Sequence, residues 1–391
     1  MKYNFDEIIN RENTGALKID AMQIRWGRKD LIPLWVADMD LPTAPFVTEA
    51  IRKRAAHPIF GYPQKLSSWR TAIQAWQKLR YNWEINTKWI GFVPGVVPGI
   101  AFAIQCLTEV GDKILIMPPV YQPFHFVVQN NHRELVYAPI LQEGEQFEID
   151  WKVFEKRLKG CKLFVLCNPH NPGGRVWKKE ELERIAILCL REKVRVVSDE
   201  IHADLTFSPY KHCPFATVNE EMAQQTITLM SPSKAFNMAG LCSSYCVIPN
   251  PDLYRQYMGY LNGNDFAEGH FLAFLSVEAA YSHGTEWLFQ LQEYLLGNID
   301  YICKFLATNC PNIQPIRPQA SFLIWLDCRK MKFISQQQLI DFFVDKAHLA
   351  LNDGQIFGKE EGEGYMRLNI GSPRPILEQA MKQLKEAYDA I

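Results

Sequence analysis

The chain has 391 residues, with 42 Lys and Arg against 43 Asp and Glu, a formal net charge of -1, 48% hydrophobic residues and 12% aromatic residues. That balance leaves no electrostatic footprint for a nucleic acid or a membrane surface, and the aromatic content argues against disorder. The length exceeds what one small core fills and predicts two domains.

Residues 1–48 read as an arm rather than a domain, with 49–283 a large domain and 284–391 a smaller one. The first residues, Met1 to Glu7, hold no apolar signal core, and no stretch reaches a membrane span of roughly 18 apolar residues. A cytoplasmic protein is expected. The 10 cysteines include Cys106, Cys161, Cys167, Cys189, Cys242 and Cys246 in apolar runs, without a CxxC. They read as buried thiols, not a disulfide framework. The nine His do not pair with Cys at ligand spacing, so no metal site is expected.

Within the arm, Leu31 to Pro42 is apolar and then turn-rich, and Pro33 and Pro42 argue against a regular helix. The arm can carry Val36-Ala37-Asp38 to a cleft; pattern alone favours a structural edge segment. Thr43 to His57 predicts a helix with Thr43 as N-cap and Pro45 in the first turn. Gly61-Tyr62-Pro63 is a turn with an exposed phenol. Leu66 to Trp83 has Trp69, Ile73, Trp76, Leu79 and Tyr81 at helical spacing and predicts an amphipathic helix.

Val93-Pro-Gly95-Val96-Val97-Pro-Gly99 is a loop between an apolar run and a helix expected over residues 100–110. Such a loop offers backbone N–H groups to a phosphate, although turn geometry alone also explains it. Lys113 to Met117 is a short strand, and Tyr121 follows it, where an aromatic ring can stack on a planar ligand or simply fill space. Glu134–Pro139 and Lys162–Cys167 are further strands.

Three later stretches carry the chemistry. Asn168-Pro-His170-Asn171-Pro-Gly-Gly174 is a turn-rich loop directly after a buried strand, where α/β ligand sites form. Its two asparagines can bond a ligand hydroxyl without carrying charge. A helix over Lys178–Lys193 follows, with Leu182, Ile185, Leu188 and Cys189 as its apolar stripe. Val194 to Val197 then runs into Ser198-Asp199-Glu200-Ile201-His202. A carboxylate at a strand end suits a protonated ring nitrogen; a helix cap or a metal ligand are the other readings, kept open by Glu200 and His202. Finally, Thr226 to Met230 reads as a buried strand delivering Ser231-Pro-Ser233-Lys234. An amine there can form a Schiff base with an aldehyde cofactor; the bland alternative is a surface lysine in a polar turn.

Strand–helix alternation to about residue 283 predicts an α/β domain with a mainly parallel sheet. A long helix over Glu286–Thr308, strands over Ser321–Asp327, Leu349–Asn352 and Tyr365–Ile370, and a terminal helix over Arg374–Tyr388 started by Ser372-Pro373 make up the smaller α+β part.

Taken in order, the three stretches resemble the fold-type I pyridoxal-phosphate enzymes of the class I/II aminotransferase family. Trp35-Val-Ala-Asp38, Gly61-Tyr62-Pro63, Pro94-Gly95-Val96-Val97-Pro98 and Phe236-Asn-Met-Ala-Gly-Leu241 resemble its cystathionine β-lyase-like C–S lyase branch, which includes the maltose-regulator lyase. The resemblance runs over the whole chain. It implies a large α/β cofactor domain with a mixed, mainly parallel sheet, and a smaller α+β domain.

The resemblance also implies roles. Lys234 carries the Schiff base and moves the Cα proton, Asp199 pairs with the pyridine nitrogen, and Asn171 bonds the ring oxygen. Tyr121 stacks on the ring, and His202 supports Asp199. Gly95, Val96 and Val97, with Ser231 and Ser233, hold the phosphate. Arg367 binds the substrate carboxylate, helped by backbone near Ala37. Tyr62 reaches the site of a neighbouring subunit, which implies a homodimer. Where many aminotransferases carry a phosphate-binding arginine this chain has Cys242, and where a hydroxyl residue is common before the Pro-Gly-Val-Val loop it has Val93. The implied activity is β-elimination from a cystathionine-like or cysteine-S-conjugate amino acid. Transamination on the same scaffold, and sequestration of a transcription factor, are the competing readings. Spacing does not choose between elimination and transamination, because both use the same residues.

Overall fold

The computed structural model describes residues 2–144 and 146–391. A seven-stranded sheet organises the first two thirds of the chain. In spatial order its strands are Ile90–Val93, Ser244–Val247, Thr226–Met230, Arg195–Asp199, Cys161–Cys167, Lys113–Ile116 and Glu134–Tyr137. Ser244–Val247 runs antiparallel to both its neighbours, and the remaining neighbours pair in parallel, so the sheet is mixed. Its central strands are buried on both faces along almost their whole length, as expected where helices cover both sides.

Two apolar layers flank the sheet. One includes Ile100, Ile104 and Phe124, from the helices Val96–Leu107 and Pro123–Asn130. The other includes Leu182, Ile185, Leu188 and Cys189 of the helix Lys179–Glu192, the stripe expected from the sequence. A four-stranded sheet follows, in the order Gln314–Ile316, Leu323–Asp327, Tyr365–Asn369, Asn352–Asp353. The helices Thr285–Asn309 and Arg374–Asp389 pack on it through a core that includes Leu295, Ile299, Leu377 and Leu384.

The arm is tied to the far end of the chain. Ile32–Pro33 pairs in parallel with Leu349–Ala350. Lys18, fully buried, places its Nζ 2.6 Å from Asp40 Oδ2, and Arg11 reaches Asp38 and Asp40 at 2.6 Å each. Burial raises the Asp40 carboxyl, but Lys18, Ser372 and Arg11 together hold the group below the usual carboxylate range.

Several local expectations need correction. The first long helix is Pro45–Ala55, and Thr43 does not cap it: its hydroxyl donates to the Asn237 carbonyl at 2.7 Å. Ser372 likewise does not cap the last helix, because its hydroxyl donates to Asp40. In Ser67–Tyr81, Trp69, Ile73 and Trp76 are buried as expected, but Leu79 is 64% exposed. The Gly95 loop is shorter than expected, since the helix begins at Val96. No disulfide joins cysteines among the described residues, yet Cys242 is exposed rather than buried. No helix among them is long and apolar enough to cross a membrane, and no group of three or more His, Cys, Asp or Glu is placed to hold a metal.

Candidate active site

Parallel strands deliver their C-terminal residues to one edge of the sheet, where ligands of open α/β sheets bind. Cys167 lies opposite Asp199, and Asp199 opposite Leu229, so the loops carrying Asn171, Asp199 and Lys234 leave the sheet side by side. Ile90–Val93 opens onto the same edge through Gly95, and Lys113–Ile116 through Tyr121. A cavity of about 300 Å³ lies there. Ala37, Asn171, Asp199, His202 and Lys234 line it, together with Tyr121, Ser233 and the Gly95-Val96-Val97 turn. The arm therefore does reach the cleft, which pattern alone had not favoured.

The electrostatics are set by burial. Asp199 is 3% exposed and accepts from the Ile201 N–H at 3.0 Å. Burial pushes its carboxyl up to about 7, against the pull of that N–H and of Lys234. The Lys234 Nζ donates to the Ala37 carbonyl at 2.6 Å. Burial, and then Arg367, bring this amine down to about 8, although Asp38 and Asp199 oppose them. Burial also brings the His202 imidazole down to about 3, so it is neutral, and its Nδ1 has no partner. Tyr121 is raised, chiefly by burial.

Three expected residues stand outside the cavity lining. Arg367 is 3% exposed and sits behind it, donating to Asn171 Oδ1 at 3.2 Å and to the Trp35 carbonyl at 2.9 Å, with its Nε unpartnered. Ser231 is buried, and its hydroxyl faces the Ser243 carbonyl at 3.4 Å while accepting from the Ser233 N–H. Tyr62 is fully exposed. Of the two asparagines in the 168–174 loop only Asn171 reaches the cavity; Asn168 is spent on the Cys213 carbonyl at 3.0 Å. Glu200 turns away from the cavity, accepting from Ser198 and the Phe215 N–H and meeting His212 Nε2 at 2.7 Å. The loop needs its last glycine: Gly174 has φ +64, and a Cβ there would lie 2.5 Å from Pro318 and 2.6 Å from the Ala320 carbonyl.

Sequence reading passed over Ser243. It lines the cavity, and its Oγ is buried without a partner. Its signal was faint: two serines just beyond Cys242. A larger cavity of about 530 Å³ lies elsewhere, beside Arg329 and residues 360–364. It lacks the convergence of an amine, a buried carboxylate and an imidazole, and its Arg329 is engaged by Asp327 at 2.7 Å.

The chain matches the family model of aminotransferase class I and II over residues 29–384. It is 38% identical to cystathionine beta-lyase PatB of Bacillus subtilis over 386 residues, 98% of this chain and 99% of that protein. It is 32% identical to protein MalY of Escherichia coli, with both chains fully covered. The crystal structure of cystalysin from Treponema denticola, which contains a pyridoxal 5'-phosphate cofactor, superposes with a TM-score of 0.96 at 31% identity, covering 100% of each chain. The chain belongs to the aminotransferase class I and II family.

Proposed function

We propose that the protein is a pyridoxal-phosphate-dependent carbon–sulfur β-lyase that releases a thiol, pyruvate and ammonia from cystathionine or a cysteine-S-conjugate. The observation that carries this reading is the convergence of Lys234, Asp199 and Asn171 on one cavity in a chain whose full-length relatives include a cystathionine beta-lyase. Cys242, on the lining where the wider family resemblance expects an arginine, favours the lyase branch over transamination.

The residues present fit the cofactor. Asp199 is a buried carboxylate, raised by burial, that a protonated ring nitrogen would pair with. The orphan Ser243 Oγ and the N–H groups at the start of Val96–Leu107 suit a phosphate. Asp199, Asn171, Tyr121, Ser233, Ser243 and the Gly95-Val96-Val97 turn would hold the group, with Lys234 as its covalent anchor. Ser231 orders the loop that carries Lys234, accepting from the Ser233 N–H. When bound, the cofactor supplies an electron sink for the pair left by breaking the substrate Cα–H bond.

The remaining work falls to the chain. Lys234, brought down to about 8, has a far larger neutral fraction near physiological pH than an ordinary lysine and can serve as base for the Cα proton. Once protonated it has the Ala37 carbonyl as acceptor and can return the proton to the departing sulfur. Arg367 takes the substrate carboxylate by a charge-assisted contact, held in place by Trp35 and Asn171. His202, neutral, lines the same cavity as Asp199 without adding charge.

The assembly is a cytoplasmic homodimer in which Tyr62 enters the neighbouring site. Its full exposure, beside Phe60 stacked on Phe271 at 5.7 Å, supports this. The domain division is an arm over 1–48, a cofactor domain over 49–283 and a small domain over 284–391. The test is an anaerobic assay of the purified, cofactor-loaded protein with L-cystathionine. Pyruvate and free thiol in equal amounts are expected. A loaded protein that makes neither, but passes its amino group to a keto acid, overturns the lyase reading.

A further inference from the structure

Four consecutive carbonyls of the arm, from Trp35 to Asp38, stand between the two sheets, and each has a defined side-chain donor. Trp35 accepts from Arg367 at 2.9 Å and from Asn352 at 2.7 Å. Val36 and Asp38 accept from the same Asn369 Nδ2, at 2.5 and 2.7 Å. Ala37, between them, accepts from Lys234.

Asn369 is fully buried and fully bonded. Its amide has two N–H donors, and the two flanking carbonyls take both. Its Oδ1 accepts from the Gly371 N–H at 2.7 Å, and its backbone N–H donates to the Leu34 carbonyl at 3.0 Å. It lies two residues from Arg367 on the strand Tyr365–Asn369, so both side chains leave the same face of the sheet.

We infer that Asn369 is a positioning residue for the reaction: by gripping Val36 and Asp38 it fixes the Ala37 carbonyl as the acceptor of the Lys234 ammonium whenever that amine is free of the cofactor. A peptide carbonyl held on both sides does not rotate away when the lysine moves. The grip ties the chemical amine to the strand that carries Arg367, so base and carboxylate anchor share one rigid frame. The inference rests on reading Lys234 as the amine that carries the chemistry.

Lys234 is faced by Asp199, Asp38, Arg367 and His202. The Asp38 carboxylate is separately anchored by Arg11 at 2.6 Å and Lys18 at 3.8 Å, and Lys18 also donates to the Asp38 carbonyl at 3.5 Å, so losing the Asn369 amide loosens that carbonyl and leaves the charge in place.

The experiment uses the cofactor-free protein, so the readout is not turnover. Trace acetylation with acetic anhydride over pH 6 to 10, with the Lys234 peptide quantified by mass spectrometry, gives the midpoint at which that amine loses its proton. Asn369→Ala is expected to lower the midpoint by about one unit, because a hydrogen bond to the charged form is lost. Asn369→Leu, with the same side-chain branching but no amide, is the second variant and is expected to do the same. Asn352→Ala removes one of the two donors to the Trp35 carbonyl, with Arg367 keeping the other, and is expected to leave the midpoint within about 0.3 units. A native midpoint in a folded Asn369 variant, or an equal shift in Asn352→Ala, overturns the inference. Turnover by Lys234→Ala would remove the role of the lysine, while the midpoints would still judge the grip.

Discussion

The Nζ of Lys234 donates to the carbonyl oxygen of Ala37 at 2.6 Å, across 197 residues of sequence. One partner follows a strand of the large sheet; the other lies in an arm that pairs with the C-terminal third of the chain. The contact gives a buried amine an acceptor without a second full charge. It is consistent with an amine that changes protonation easily, and the consequences below start from it.

Lys234→Ala is expected to lower pyruvate release at least about a thousand-fold, since it removes the general base. It is also expected to remove the visible absorbance of the cofactor-loaded protein. Steady-state assays and a spectrum of the loaded variant check both. Native turnover would end the assignment.

Asp199→Asn is expected to abolish turnover and yet stabilise the cofactor-free protein. The folded carboxyl sits at about 7, above an unfolded value of about 3.9. Between these values the native state holds the extra proton, so this group's contribution to stability declines as pH rises from about 4 to about 7. Above that window both states are ionised and the burial cost is complete. Urea melts at pH 8 should therefore favour the Asp199→Asn variant by about 2–4 kcal/mol, with the gain fading towards pH 4. A pH-independent difference would show that the carboxylate is not the cause.

Arg367→Ala is expected to lower kcat/KM by about 100-fold, mostly through KM, because the substrate carboxylate loses a charge-assisted partner. Arg367→Lys should recover little of it, since a single ammonium cannot reach both Trp35 and Asn171 as the guanidinium does. Initial rates against substrate concentration decide this. An unchanged KM would place the anchor elsewhere.

Ser243→Ala is expected to weaken cofactor binding by about ten-fold while leaving the melting temperature of the cofactor-free protein unchanged. The hydroxyl has no partner in the chain to lose, and a bond to a charged acceptor contributes about 1.5–3 kcal/mol. A cofactor titration followed by fluorescence reads the change. Native affinity would remove Ser243 from the phosphate site.

Much of this site is legible in the sequence because parallel strands end where they deliver function. The apolar runs before Asn171, Asp199 and Lys234 are strands, and their order along the chain becomes adjacency at one sheet edge. Local signals fail where a distant partner decides. Thr43 carries a capping hydroxyl but spends it on Asn237, and Ser372 spends its own on Asp40. The arm gives no periodic signal for its place in the cleft, because Asn369, Asn352 and Arg367 hold it through its backbone carbonyls. Those bonds depend on backbone and not on residue type. Ser243 escaped notice for the opposite reason: an unused hydroxyl leaves no trace until its surroundings are known.

The pairing of Ile32–Pro33 with Leu349–Ala350 sets a timetable for biosynthesis. The arm leaves the ribosome first, and its partner strand follows roughly 300 residues later, at roughly 5–20 residues per second. The last strand of the large sheet ends at Val247, about 120 residues before Arg367, so for roughly 6 to 24 s the nascent chain can build that sheet and expose Lys234 while Arg367 has yet to be made. No product truncated before the strand Tyr365–Asn369 can close the site, so a reactive lysine and a substrate anchor come together only once that strand has been made.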